Sequence, residues 1–140
     1  MRLGESDVIR LAFIPSQAGY TITVDFPEHQ AVTQTVVVKR PPGYDVFAVA
    51  RLDHVGFDLA PEGEQAQALA PGEPAIWRWS LTPRSAGQHR LAISLKLRWI
   101  PTQGAPGGPR ELLIYSRALD IQVSAFLGMT PAQATSAGMA

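Results

Sequence analysis

Three histidines, one run of acids and a row of cations are the residues of this chain whose types suit chemistry. His29, His54 and His89 are widely spaced and show no H-x-x-x-H or H-x-x-E-H pattern, so a metal would bind only if the fold brought them together. His29 and His54 adjoin acids (Glu28 and Asp53), which suits a local electrostatic pairing better than a catalytic triad. Serines are present without a G-x-S-x-G elbow to sharpen one into a nucleophile. Asp53, Asp58, Glu62 and Glu64 fall along one segment and suggest calcium, but not at the alternating D-x-D-x-D-G spacing that wraps the ion. Gly104 to Gly108 is glycine-rich, yet no Lys-Ser/Thr follows and no helix pattern opens after it, so a phosphate cradle is not indicated. No catalytic residue, metal or cofactor is nominated, and the reading is non-enzymatic.

Binding is the remaining class. Arg78, Arg90, Lys96 and Arg98 alternate with large apolar residues, so we expect them on one outward row, a candidate interaction face. Gln103, Gly104, Gly107 and Gly108 lie in the long loop from Ile100 to Arg110 and are candidate loop contacts. Trp77, Trp79 and Trp99 suit a packed core. An exposed Trp77 or Trp99 would instead offer a flat platform for a sugar ring.

The elements that must position these groups read as strands. From Ala75 to Ile100 the sequence predicts one β-hairpin. Trp77, Trp79 and Leu81 alternate with Ile76, Arg78 and Ser80. A turn follows at Thr82 to Gly87, and Leu91, Ile93, Leu95, Leu97 and Trp99 then alternate with Arg90, Ala92, Ser94, Lys96 and Arg98. Upstream, Val8 to Ile14 and Tyr20 to Phe26 show the same period of two. Val32 to Lys39 is β-branched and stops at Pro41-Pro42-Gly43. Asp45 to Leu52 is a further strand, with Val55, Phe57 and Leu59 in phase after it, while Gln65 to Ala70 suits a short edge strand or a helical turn. The last strand runs from about Glu111 to Ser124, with Leu113, Tyr115, Leu119, Ile121 and Val123 on one face. The expected fold is therefore all-β: an immunoglobulin-like antiparallel sandwich of seven to nine strands over residues 1–126, with a small barrel as the competing architecture and a disordered tail at 127–140.

Composition narrows the partners. The 140 residues carry 12 Lys/Arg and 12 Asp/Glu, a net charge of zero that gives no global pull on nucleic acid. Residues 1–70 hold five basic and nine acidic groups (−4), and residues 71–140 hold seven and three (+4), which suggests complementary faces. The hydrophobic share is 46%, yet the longest apolar runs, such as Val46 to Ala50, are five residues long, too short to insert in a membrane. With no cysteine, disulfide, thiolate and iron–sulfur chemistry drop out.

Trp77-Arg78-Trp79-Ser80-Leu81-Thr82-Pro83, followed by Gly87-Gln88-His89-Arg90-Leu91-Ala92-Ile93, resembles a motif of bacterial immunoglobulin-like domains. The resemblance spans about 25 residues plus the opening Gly4-Glu5-Ser6 and transfers no catalytic residue; the Cys…Trp…Cys framework of antibody domains is missing. It implies an interaction or spacer domain of a larger signalling or cell-surface protein, membrane-proximal where that parent is anchored. Its partners would be another protein or other domains of the same chain, and copies would pair through strand edges.

Overall fold

Period-two alternation, repeated with a turn every ten residues or so, leaves each strand one apolar face to hide. The chain hides them by stacking two sheets. The computed structural model describes residues 1–26, 29–102 and 107–125, with the backbone alone at 29–33. Its strands are β1 (Asp7–Ser16), β2 (Gly19–Phe26), β3 (His29–Val36), β4 (Tyr44–Asp53), β5 (Phe57–Ala60), β6 (Gln65–Ala68), β7 (Ala75–Pro83), β8 (Gly87–Pro101) and β9 (Arg110–Val123). One sheet runs β3-β2-β1-β7-β5 and the other β6-β4-β8-β9, with every neighbouring pair antiparallel. The sheets do not close on each other, so the fold is a β-sandwich and not a barrel. The Gln65–Ala70 segment supplies edge strand β6, not a helical turn. The tail at 127–140 lies outside the described residues.

The expected hairpin is not one. β7 pairs with β1 and β5, whereas β8 pairs with β4 and β9, so the Arg84–Ala86 connection crosses from one sheet to the other. Alternation reports which face of a strand is dry. It is silent on which strand lies beside it, and strands that face each other across a core show the same pattern as strands that pair. The crossing is tied to β5: the Arg84 amide donates to Gly56 O at 2.9 Å and its guanidinium to Phe57 O at 2.6 Å.

Between the sheets, Ile9, Phe13, Ile22, Phe57, Trp79, Leu81, Ile93 and Leu95 are all 0% exposed. No charged or polar residue is buried among the described residues. Three polar atoms of partly apolar side chains do lie inside without a hydrogen-bond partner: Trp79 Nε1, Tyr115 Oη and His54 Nδ1. The Trp77 indole is buried too and donates to Gln65 O at 2.9 Å, linking the sheets where β7 passes over β6.

Two bulges break the period. On β9 the register jumps from Leu95↔Tyr115 to Lys96↔Leu113, leaving Ile114 as the extra residue. Parity flips there, so Leu113 leaves the inward set and is 59% exposed. On β3 the jump from Ile22↔Gln34 to Thr23↔Val32 leaves residue 33 over. The two irregularities meet: Gln34 Nε2 donates to Ile114 O at 2.6 Å, bridging the edges of the two sheets. Val55, expected in phase with Phe57, is exposed in the turn before β5.

Candidate functional site

β8 has 15 residues and β9 has 14, while no strand of the opposite sheet exceeds ten. Five extra residues at a rise of about 3.3 Å each reach about 17 Å further. Burial follows that mismatch. Leu91 to Leu97 are dry on the inner face, Trp99 is partly exposed, and Leu112, which faces Leu97 across the β8–β9 ladder, is 54% exposed. Trp99 stands between Val46 and Arg110 in the ladder, and Tyr44 pairs with Pro101 one step further along. The inner face of the second sheet therefore runs out from under its cover at this end.

The chain between β3 and β4 borders the uncovered end. β3 ends at Val36, and the chain runs on through Pro41 and Pro42, which have no N–H to join a ladder, before starting β4. The crossing is fastened at three points. Trp99 Nε1 donates to Lys39 O at 2.8 Å; Arg40 Nη1 donates to Leu69 O at 2.7 Å; and the Thr102 amide and hydroxyl both donate to Gly43 O, at 2.8 and 3.0 Å. The result is a cleft of about 630 Å³ lined by Lys39, Arg40, Pro41, Tyr44, Trp99, Arg110 and Glu111. Gly107 closes on it: its φ is +95°, and a Cβ there would stand 2.8 Å from Tyr44 Oη. The positive φ reserves the position for glycine, whereas the Tyr44 hydroxyl, at the end of its side chain, could give way to a Cβ.

The charges in this cleft are unequal in their commitments. Glu111 accepts from Lys96 at 3.0 Å and Arg98 at 2.8 Å, and Glu64, just ahead of β6, accepts from the same two cations. Hydrogen bonds from Lys96 and then Arg98 hold both carboxyls below their ordinary pKa, and the reciprocal bonds raise Lys96 and Arg98. By contrast, among the described residues no carboxylate pairs with Lys39 Nζ or the Arg110 guanidinium. The cleft thus combines two aromatic side chains with two uncommitted cations, while its one carboxylate is neutralised from outside.

The four cations expected on one face are divided. Arg78 is exposed on the outer face of the first sheet, in register with Arg10. Arg90, Lys96 and Arg98 lie on the outer face of the second, where Arg90 pairs with Asp120 at 2.9 Å and the other two belong to the network above. The crossing between β7 and β8 is the cause. Of the loop candidates, Gly107 abuts the cleft and Gly108 faces open space, while Gln103 and Gly104 lie outside the described residues. Trp77 is 4% exposed and presents no platform, whereas Trp99 lines the cleft.

The candidate chemistry elsewhere disperses. His54, just past the end of β4, places Nε2 3.0 Å from Glu62, while its neighbour Asp53 pairs elsewhere. Asp53 pairs with Arg51 at 2.7 Å and Asp58 with Arg84 at 3.2 Å. His89 contacts Ser85 O at 2.9 Å and stacks edge-on against Phe57. The side chain of His29 is not described. Each acid of the calcium expectation has its own basic partner, and among the described residues no group of three or more His, Cys, Asp or Glu is placed to hold a metal. No helix among them is long and apolar enough to cross a membrane.

Reasoning from sequence passed over Lys39, Arg40, Tyr44 and Arg110. The available signal was the Pro41-Pro42 exit beside an apolar strand that runs on to Trp99. Comparison with protein-family models, with curated proteins and with solved structures finds no match to this chain.

Proposed function

We propose that this chain is a non-catalytic recognition domain, an interaction or spacer unit of a larger bacterial signalling or cell-surface protein, and that it engages its ligand at the cleft around Trp99. One observation carries the reading. Tyr44 and Trp99 extend the inner face of the sandwich beyond its cover, and uncommitted Lys39 and Arg110 stand beside them. Pockets of a few hundred to about 1,000 Å³ with aromatic walls and a few charged groups are the usual shape of a binding site. Strands of the rigid sandwich hold two of its walls, so little ordering entropy opposes capture. The Trp77–Pro83 resemblance supports the parent-protein part of the proposal.

A mixed peptide and glycan array tests it, using the wild-type chain and a Lys39→Glu/Arg110→Glu variant with unchanged circular dichroism. Features bound by the wild type and lost by the variant are expected. Binding that the double variant retains would move recognition to another surface. An empty array would leave a spacer without a ligand site and overturn the cleft reading.

A further inference from the structure

We infer that the cleft takes an acidic oligosaccharide, a chain of uronate-type sugars, with the ring of one residue against Trp99 and Tyr44 and carboxylates directed to Arg110 and Lys39. The inference rests on the cleft being a recognition site. Its first support is charge. Glu111 is occupied by Lys96 and Arg98, so the uncommitted groups that a ligand meets here are cationic. A guanidinium without a carboxylate partner favours a planar, bidentate anion such as a carboxylate.

The second support separates sugars from peptides. An extended peptide bound at a sheet edge or along a linker gains much of its affinity from main-chain hydrogen bonds. At the crossing itself the carbonyls are engaged, Lys39 O by Trp99, Leu69 O by Arg40 and Gly43 O by Thr102, so main-chain pairing with a peptide is left to the open edge of β9. What the crossing offers a ligand is side-chain surface, the Trp99 indole beside Lys39 and Arg110. That combination fits the apolar face of a sugar ring carrying an acid. The Trp99 N–H is itself committed to Lys39 O, which fixes the orientation of the indole before any ligand arrives.

Three probes decide the matter in isothermal titration with the full chain: a trimer of galacturonic acid, its fully methyl-esterified form, and a hexapeptide of glutamate. The acidic trimer should bind, with its affinity falling as salt rises. Esterification, which removes charge and keeps the sugar, should weaken binding roughly tenfold or more, and Arg110→Gln should do about the same. Arg78→Gln, on the outer face of the other sheet, should change nothing. Trp99→Phe, which keeps an aromatic ring but loses the indole tether, should weaken binding without unfolding the chain. Equal binding of acid and ester, or an Arg110→Gln variant that binds as well as wild type, overturns the inference. So does tighter binding of the glutamate peptide, which would leave the cleft a recognition site for a different ligand. Failure of all three probes overturns it as well, while array features lost in the double variant would still uphold the cleft.

Discussion

Replacing Glu64 by Gln tests the charge network beside the cleft and the physical account of it. The carboxylate reaches Lys96 and Arg98 on β8, tying the chain ahead of edge strand β6 to the centre of its sheet. Its side chain is 38% exposed and the two cations 27%, so solvent screens the pairs. Exposed ion pairs contribute about 0.2–1 kcal/mol each, and two contacts sharing one carboxylate are not fully additive. We therefore expect Glu64→Gln to lower the unfolding free energy by about 0.5–1 kcal/mol at neutral pH. The hydrogen bonds depress the carboxyl's pKa in the folded state, so the unfolded chain takes up the proton first as pH falls. The contribution is thus whole above the ordinary carboxylate range, about pH 4–5, and disappears as pH drops through the lower folded value. Urea unfolding of wild type and variant, followed by tryptophan emission at pH 7 and near pH 3 and at low and high salt, measures it. The gap should shrink at acid pH and in high salt. A gap that persists at acid pH, or one above about 2 kcal/mol, would refute screened pairing and point to a packing role for Glu64.

Two further substitutions probe the core. Leu95 is 0% exposed and sits between Ala50 and Tyr115 in the ladder, so Leu95→Ala should cost about 2–5 kcal/mol with no change in the cleft, read by urea unfolding. Tyr115 Oη is buried without a partner, so Tyr115→Phe should leave stability unchanged or raise it by about 1 kcal/mol; a clear loss would mean that the hydroxyl has a partner after all.

Composition and alternation alone specify the class of this fold and most of its dry face. Trp79, Ile93 and Leu95 are expected inside and are inside. Pairing is less legible, because β7 and β8 carry the alternation of a hairpin while belonging to different sheets. Register fails at a particular residue: Ile114, one apolar side chain among Leu112, Leu113 and Tyr115, gives no local sign that it is the one left unpaired. At the bulge, Gln34, 80 positions away, donates to the Ile114 carbonyl, a contact that local alternation does not reveal. Because β7 and β8 lie in different sheets, the row of four cations reads as one face and is two.

The cleft follows from a mismatch that no single strand reveals. Two stacked sheets bury one another only where both are present. When β8 and β9 outrun a partner sheet whose described strands have at most ten residues, the residues on their inner faces lose their cover, whatever their type. Had those positions been aliphatic, the end would be an apolar patch open to other chains. Leu112 retains that character, but Tyr44, Trp99 and Arg110 do not. Their side chains carry polar ends that remain hydrated on rings or stems that prefer contact, so the end stays soluble while offering surface to a ligand. The tether from Trp99 to Lys39 then holds the indole in one orientation. An end required only to be soluble would not need that tether. Its presence is consistent with the recognition role proposed for the overhang.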